Sequence, residues 1–132
     1  MNPRHLRWLS RAKPATARTG SWRLTRSATT AGRALHLAHD CLLAWKLGAH
    51  GRVFELLVSE LVADALEHTE GTIRLTLFYE EGLLRCAVEE DDPGRAGERE
   101  RGLYLVAQLS CCWGSTCTPA GKATWFELPV RS

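Results

Sequence analysis

Glu60 and Asp64 stand four residues apart in the run VFELLVSELVADALEH, and they are the residues of this chain best placed to do chemistry. With about 3.6 residues per helical turn, Val53, Leu57, Leu61, Ala65 and His68 fall on one inward stripe. Asp64 points between them and Glu60 borders them. Burying an unpaired ionised carboxylate costs several kcal/mol, so such a group is paired, protonated or faces a polar cavity. Two acids at this spacing also repel by roughly 0.2 to 0.5 kcal/mol, which packing alone does not recommend. One reading pairs Asp64 with His68 a turn later and leaves Glu60 solvated. The other has the two carboxylates face a polar cavity.

The elements that must position these residues belong to a small protein. At 132 residues the chain makes one domain, able to bury about two-thirds of its unfolded surface without metal or disulfide staples. No apolar run approaches the ~18 residues of a membrane span, and the N-terminus lacks a secretory stretch, so a cytoplasmic protein with no membrane partner is expected. The first 39 residues hold no Asp or Glu but include Arg4, Arg7, Arg11, Lys13, Arg18, Arg23, Arg26 and Arg33. Such a start suits a solvated tail, a transit peptide or a weak nucleic-acid arm. No DNA-reading motif accompanies it, so direct nucleic-acid binding is not expected. Cys41, Cys86, Cys111, Cys112 and Cys117 form no CxxC pair, which argues against a zinc site and a disulfide framework. They read as buried thiols in a reducing compartment, with Cys111 and Cys112 oxidisable where exposed.

Along the chain, residues 1–20 read as a basic tail and 21–132 as the folded domain. Trp22 to Thr25 alternates as an edge strand, and Ser27 or Thr29 is placed to cap a helix from Thr30 to Leu47. Leu35, Ala38, Leu42 and Trp45 share its buried face and Gly48 stops it. His36 and His39 on this helix read as surface residues. A second helix spans Arg52 to His68 and carries the two acids. A hairpin follows, with Ile73, Leu75, Leu77 and Tyr79 inward, Glu80, Glu81 and Gly82 at the turn, and Leu84, Cys86 and Val88 inward. Glu89 to Arg101 is a long polar loop. GLYLVAQLS has helical spacing, and CWGSTCT and ATWFELPV flank a turn at PAGK. This order predicts an α+β, two-layer sandwich with helices on one face of a mostly antiparallel sheet.

Four blocks in this order, ELVADALEH on a helix, a hairpin ending in VEEDDP, ERGLYLV after a loop, and a closing WG…GKATWFEL, resemble the anti-sigma-factor serine kinases. The actinobacterial members are the most similar, including the opening SWRL. The family belongs to the histidine kinase-like (GHKL, Bergerat-fold) ATPases shared with DNA gyrase, heat-shock chaperones and mismatch-repair proteins. The resemblance covers about Ser21 to Val130. It implies a homodimer that sequesters a sigma factor of RNA polymerase and switches to a STAS-type anti-sigma antagonist, whose serine it phosphorylates from ATP and magnesium. By the match, Glu60 is the general base and Asp64 the magnesium ligand, where the family has Asn. Glu90, or Asp91 if the register slips by one, takes the place of the Asp that binds the adenine amino group. Arg101, Gly102 and Leu103 match the phosphate-binding lid, with Glu100 replacing its first glycine, and Lys122 and Thr124 fall on the strand closing the adenine pocket. These departures add negative charge within a Debye length of about 8 to 10 Å, which disfavours ATP. The resemblance therefore implies a partly degenerate nucleotide site, and the alternative is a nucleotide-independent interaction module on the same fold.

Overall fold

The computed structural model describes residues 17–68, 71–90, 103–118 and 121–130. In chain order it contains β1 (Arg18–Leu24), α1 (Thr30–Ala44), a 3-10 turn (Gly48–His50), α2 (Gly51–His68), β2 (Ile73–Glu80), β3 (Leu83–Glu90), α3 (Tyr104–Leu109), β4 (Cys112–Thr118) and β5 (Gly121–Pro129). The five strands form one antiparallel sheet in the order β1-β2-β3-β5-β4. α2 packs on β3 and β5, and α1 packs against α2. The expected α+β architecture, helices against one face of an antiparallel sheet, is therefore present. None of the helices among the described residues is long and apolar enough to cross a membrane.

Alternation sorts the strands into two faces. Leu75, Leu77, Leu84, Cys86, Val88 and Phe126 point to the helices and join one core with Phe54, Leu57, Val58, Leu61, Val62 and Ala65 of α2. The opposite face carries a smaller cluster of Phe78, Ala87 and Trp125. The β2–β3 turn is the two residues Glu81 and Gly82, with φ of 51° and 80°. Positive φ at both positions is the twist a tight hairpin needs, and Gly82 adopts it without a Cβ penalty.

Several expected boundaries move. β1 begins at Arg18, so Arg18, Thr19 and Gly20 belong to the sheet and not to the tail; Gly20 pairs with Leu77. Residues 1–16 lie outside the described residues. Neither Ser27 nor Thr29 caps α1 through its side chain. Thr30 secures the entry instead, donating to the Thr25 carbonyl at 2.6 Å and accepting from the Ser27 N–H at 2.9 Å. α1 ends at Ala44, where Lys46 takes φ 62° and Leu47 N–H reaches back to the Leu42 carbonyl at 2.7 Å. This is a Schellman stop with lysine in the left-handed position, so Gly48 is not the stop. The buried face of α1 is Thr30, Ala34, Ala38 and Leu42, while Leu35 is half-buried. On α2, Val53 is exposed and Phe54, Val58 and Val62 join the stripe in its place; the helix turns its seam by one residue to meet the sheet. Glu89 and Glu90, expected in the polar loop, belong to β3 and pair with Arg74 and Ile73, and the rest of that stretch, 91–101, lies outside the described residues.

Candidate functional site

β3, β5 and α2 all change character towards the same end of the layer between helices and sheet. β3 runs Leu84, Cys86, Val88 and then Glu90 on its helix-facing side; β5, read in the opposite direction, runs Leu128, Phe126, Thr124 and then Lys122. α2 runs Phe54, Leu57, Val58 and Leu61 and then Asp64. Asp64, Glu90, Lys122 and Thr124 are 4%, 1%, 3% and 4% exposed, so three ionisable groups and a hydroxyl sit where the alternation and packing call for apolar residues. On β1 and β2 the same level stays apolar, with Leu24 opposite Ile73, and both buried. Among the described residues, the buried ionisable groups at this level lie on α2, β3 and β5.

The local sequence explains each placement. Glu90 ends β3 directly opposite Lys122 near the start of β5, on the same face. Residues opposite each other in an antiparallel pair have Cβ atoms about 4.5 to 5.5 Å apart, which puts a carboxylate and an ammonium within pairing reach in a buried setting. Two places along, Thr124 shares a hydroxyl contact of 3.1 Å with Ser115 of the edge strand β4. Asp64 has interactions of its own, as do Glu90 and Lys122. Glu60, one turn before Asp64, is half-buried, and its Oε1 is shielded from solvent with no hydrogen-bond partner among the described residues. A carboxylate oxygen held this way suits a proton acceptor or a hard-cation ligand better than a packing residue.

Of the residues expected to contribute, Glu60 and Asp64 lie on α2, and Glu90 and Thr124 on the two strands beneath it. Leu103 is fully buried and forms part of the hydrophobic core just before α3. Asp91, Arg101 and Gly102 lie outside the described residues, as does the side chain of His68, the partner that the simpler reading of Asp64 required. His36 and His39 are exposed, and His39 Nδ1 meets Glu55 Oε2 at 3.1 Å, tying α1 to α2 at the surface.

A second constellation was not anticipated from spacing. Cys111 and Cys112 are neighbours whose sulfurs are 3.7 Å apart. Pairing of β4 with β5 sets Cys112 opposite Glu127, which is 4% exposed and accepts from Arg85 Nε at 3.0 Å. Although Cys111 is exposed overall, partial desolvation of its thiol pushes it up to about 11, with the hydrogen bond to Cys112 and the charges of Cys112 and Glu127 adding to the shift. Burial likewise pushes the Cys86 thiol far above its ordinary range, and burial and then the Asp40 charge raise that of Cys41. The absence of CxxC spacing spoke against metal ligation, but it gave no view of Glu127, which arrives through the hairpin register. The usable signal was the CC pair in a segment reading as one arm of a hairpin with an acid in the other.

No protein-family model matches this chain, and a search of curated proteins finds no match either.

Proposed function

We propose that this chain is an anti-sigma regulatory factor of the serine-kinase type whose nucleotide site is partly degenerate. The observation that carries the reading is the switch from apolar to ionisable residues along α2, β3 and β5, with Glu60 and Asp64 on the helix and Glu90, Lys122 and Thr124 on the two strands it packs against. The two-layer α+β fold and the four sequence blocks support it. In this reading the fold is that of the histidine kinase-like ATPases.

The residues fit the two expected ligands unequally. Asp64 and the shielded Glu60 Oε1 offer hard oxygen donors, which magnesium prefers. Bound Mg·ATP supplies the γ-phosphoryl group. Asp64 would hold the cation, and Glu60 would take the proton from the antagonist's serine hydroxyl. Glu90 fits adenine poorly: Lys122 lies opposite it across the strand pair, and an ammonium within pairing reach competes with an adenine amino group for the carboxylate. That same juxtaposition favours a switch resting on competition between sigma factor and antagonist alone; the second reading is a nucleotide-independent interaction module on the same fold, with neither ATP nor a sigma factor. In the anti-sigma reading the chain works in the cytoplasm as a homodimer.

Calorimetry of the purified chain with Mg·ATP, beside Asp64→Asn, and copurification with RNA polymerase sigma subunits test the proposal. The expected outcome is capture of a sigma factor without nucleotide, and weak Mg·ATP binding that Asp64→Asn strengthens. Absence of every sigma factor from the recovered partners overturns the anti-sigma assignment. Tight Mg·ATP binding by the native chain overturns the degenerate site.

A further inference from the structure

On the sheet face turned away from the helices, the β4–β5 hairpin gathers three ligating side chains that the nucleotide reading does not use. Cys112 lies opposite Glu127, and the preceding Cys111 donates its backbone N–H to the Glu127 carbonyl at 2.9 Å. The two sulfurs and a Glu127 carboxylate oxygen all fall within 4.8 Å of one another. Two thiolates bound to zinc at about 2.3 Å in a tetrahedron stand about 3.8 Å apart. The sulfurs here are 3.7 Å apart, so the pair already has the bite of a chelate.

The surroundings also suit a cation. Arg85 Nε donates to Glu127 Oε2 at 3.0 Å, and the Arg85 guanidinium lies 5.2 Å from the centroid of the Phe78 ring. The carboxylate is thereby held by a hydrogen bond, as metal-ligating carboxylates are, and it keeps lone pairs for a metal. Burial is graded: Cys111 is exposed, Cys112 half-buried and Glu127 buried, which gives a cation an entry path and leaves a fourth position to solvent. Sulfur donors select against magnesium and calcium and in favour of zinc-like ions.

We propose that Cys111, Cys112 and Glu127 form a binding site for one borderline-soft divalent cation of the zinc type. Each thiol gives its proton to solvent as its sulfur–metal bond forms, and no electron is transferred. Two thiolates, one carboxylate, the Arg85 guanidinium and the dication then sum to zero charge, so the filled site carries no uncompensated charge. The site is independent of the nucleotide reading, and either can fail without the other.

Titrating the full, reduced chain with Co2+ and then displacing it with Zn2+ tests the site. The expected result is a sulfur-to-cobalt charge-transfer band with tetrahedral visible bands, saturating at one equivalent and removed by Zn2+. Cys111→Ser changes an exposed residue and leaves the core untouched; it is expected to weaken the band sharply, and Cys111→Ser with Cys112→Ser to abolish it. Glu127→Gln is expected to keep the thiolate band while lowering affinity about 10-fold or more. No band in the native chain, or a band unchanged in Cys111→Ser, overturns the site. An affinity unchanged in Glu127→Gln overturns the role of the carboxylate.

Discussion

The two ends of the layer between helices and sheet are made by the same three elements and follow opposite rules. At one end Phe54 of α2 meets Phe126 of β5 edge to face, with ring centroids 5.6 Å apart, and Leu57, Leu84 and Cys86 fill the space around them. At the other end the same helix and strands place Asp64, Glu90, Lys122 and Thr124 at equal depth. Burial is therefore not what separates the ends; chemistry is. A dry end holds the fold together, whereas a polar end at the same depth adds little or costs stability, so its presence calls for a function. One misplaced acid is an accident of packing, but three elements changing character at one level mark a boundary drawn across the fold.

The largest effect is expected where this boundary is broken by halves. Lys122→Met alone leaves Glu90 buried without the cation opposite it and is expected to cost about 3 to 5 kcal/mol in urea unfolding. Glu90→Leu added to it is expected to recover that loss and end neutral or more stable than the native chain by about 1 to 4 kcal/mol. If the double variant is as unstable as the single one, the polar end is structural and the comparison fails. Phe54→Ala, at the dry end, is expected to cost about 3 to 5 kcal/mol through lost burial and a residual cavity, with no rescue by a second apolar change nearby.

The fold was largely legible in the sequence because it rests on periodicity. Alternation in TIRLTLFY and LLRCAV gave the hairpin, and Asp64 within an apolar stripe pointed to the polar end before any register was known. The exact seam of α2 was not legible: Val53 and Phe54 are both apolar and adjacent, and only contact with the sheet decides that Phe54 turns in and Val53 out. Glu90 entered through the resemblance, but its position opposite Lys122 depends on pairing β3 with β5, two strands separated by thirty residues of chain. Glu127 beside Cys111 and Cys112 is the same case, since strand register is a property of the sheet and not of either strand.

Cys86 sharpens the comparison by testing how dry the dry end is. Burial raises its thiol above the ordinary 9.0. A raised value means that the folded state keeps the proton while the unfolded chain loses it, so this contribution is complete below about pH 8.5 and declines as pH rises. Between about pH 9 and 11 the expected loss from this group approaches 1.4 kcal/mol per pH unit, read from urea midpoints. Cys86→Ala should start from lower stability and show a flatter alkaline slope. An equal slope in both chains would mean that water reaches Cys86 and that the dry end is not dry.

The smallest effect concerns how the dry end is closed. α1 turns into α2 through Lys46 at φ 62°, and this turn delivers Leu47 to the core beside Leu42. A lysine Cβ opposes the left-handed conformation, a strain that glycine does not carry, although glycine is the more flexible residue when unfolded. Lys46→Gly is therefore expected to stabilise the chain by about 0.5 to 1 kcal/mol, measured by urea unfolding. Because the Schellman turn lies far along α2 from Asp64, the gain should appear unchanged in the Glu90→Leu/Lys122→Met background, as independent sites add within about 0.5 kcal/mol. A gain that vanishes there would tie the two ends into one cooperative unit, and the contrast between them would then describe composition without describing separate energetics.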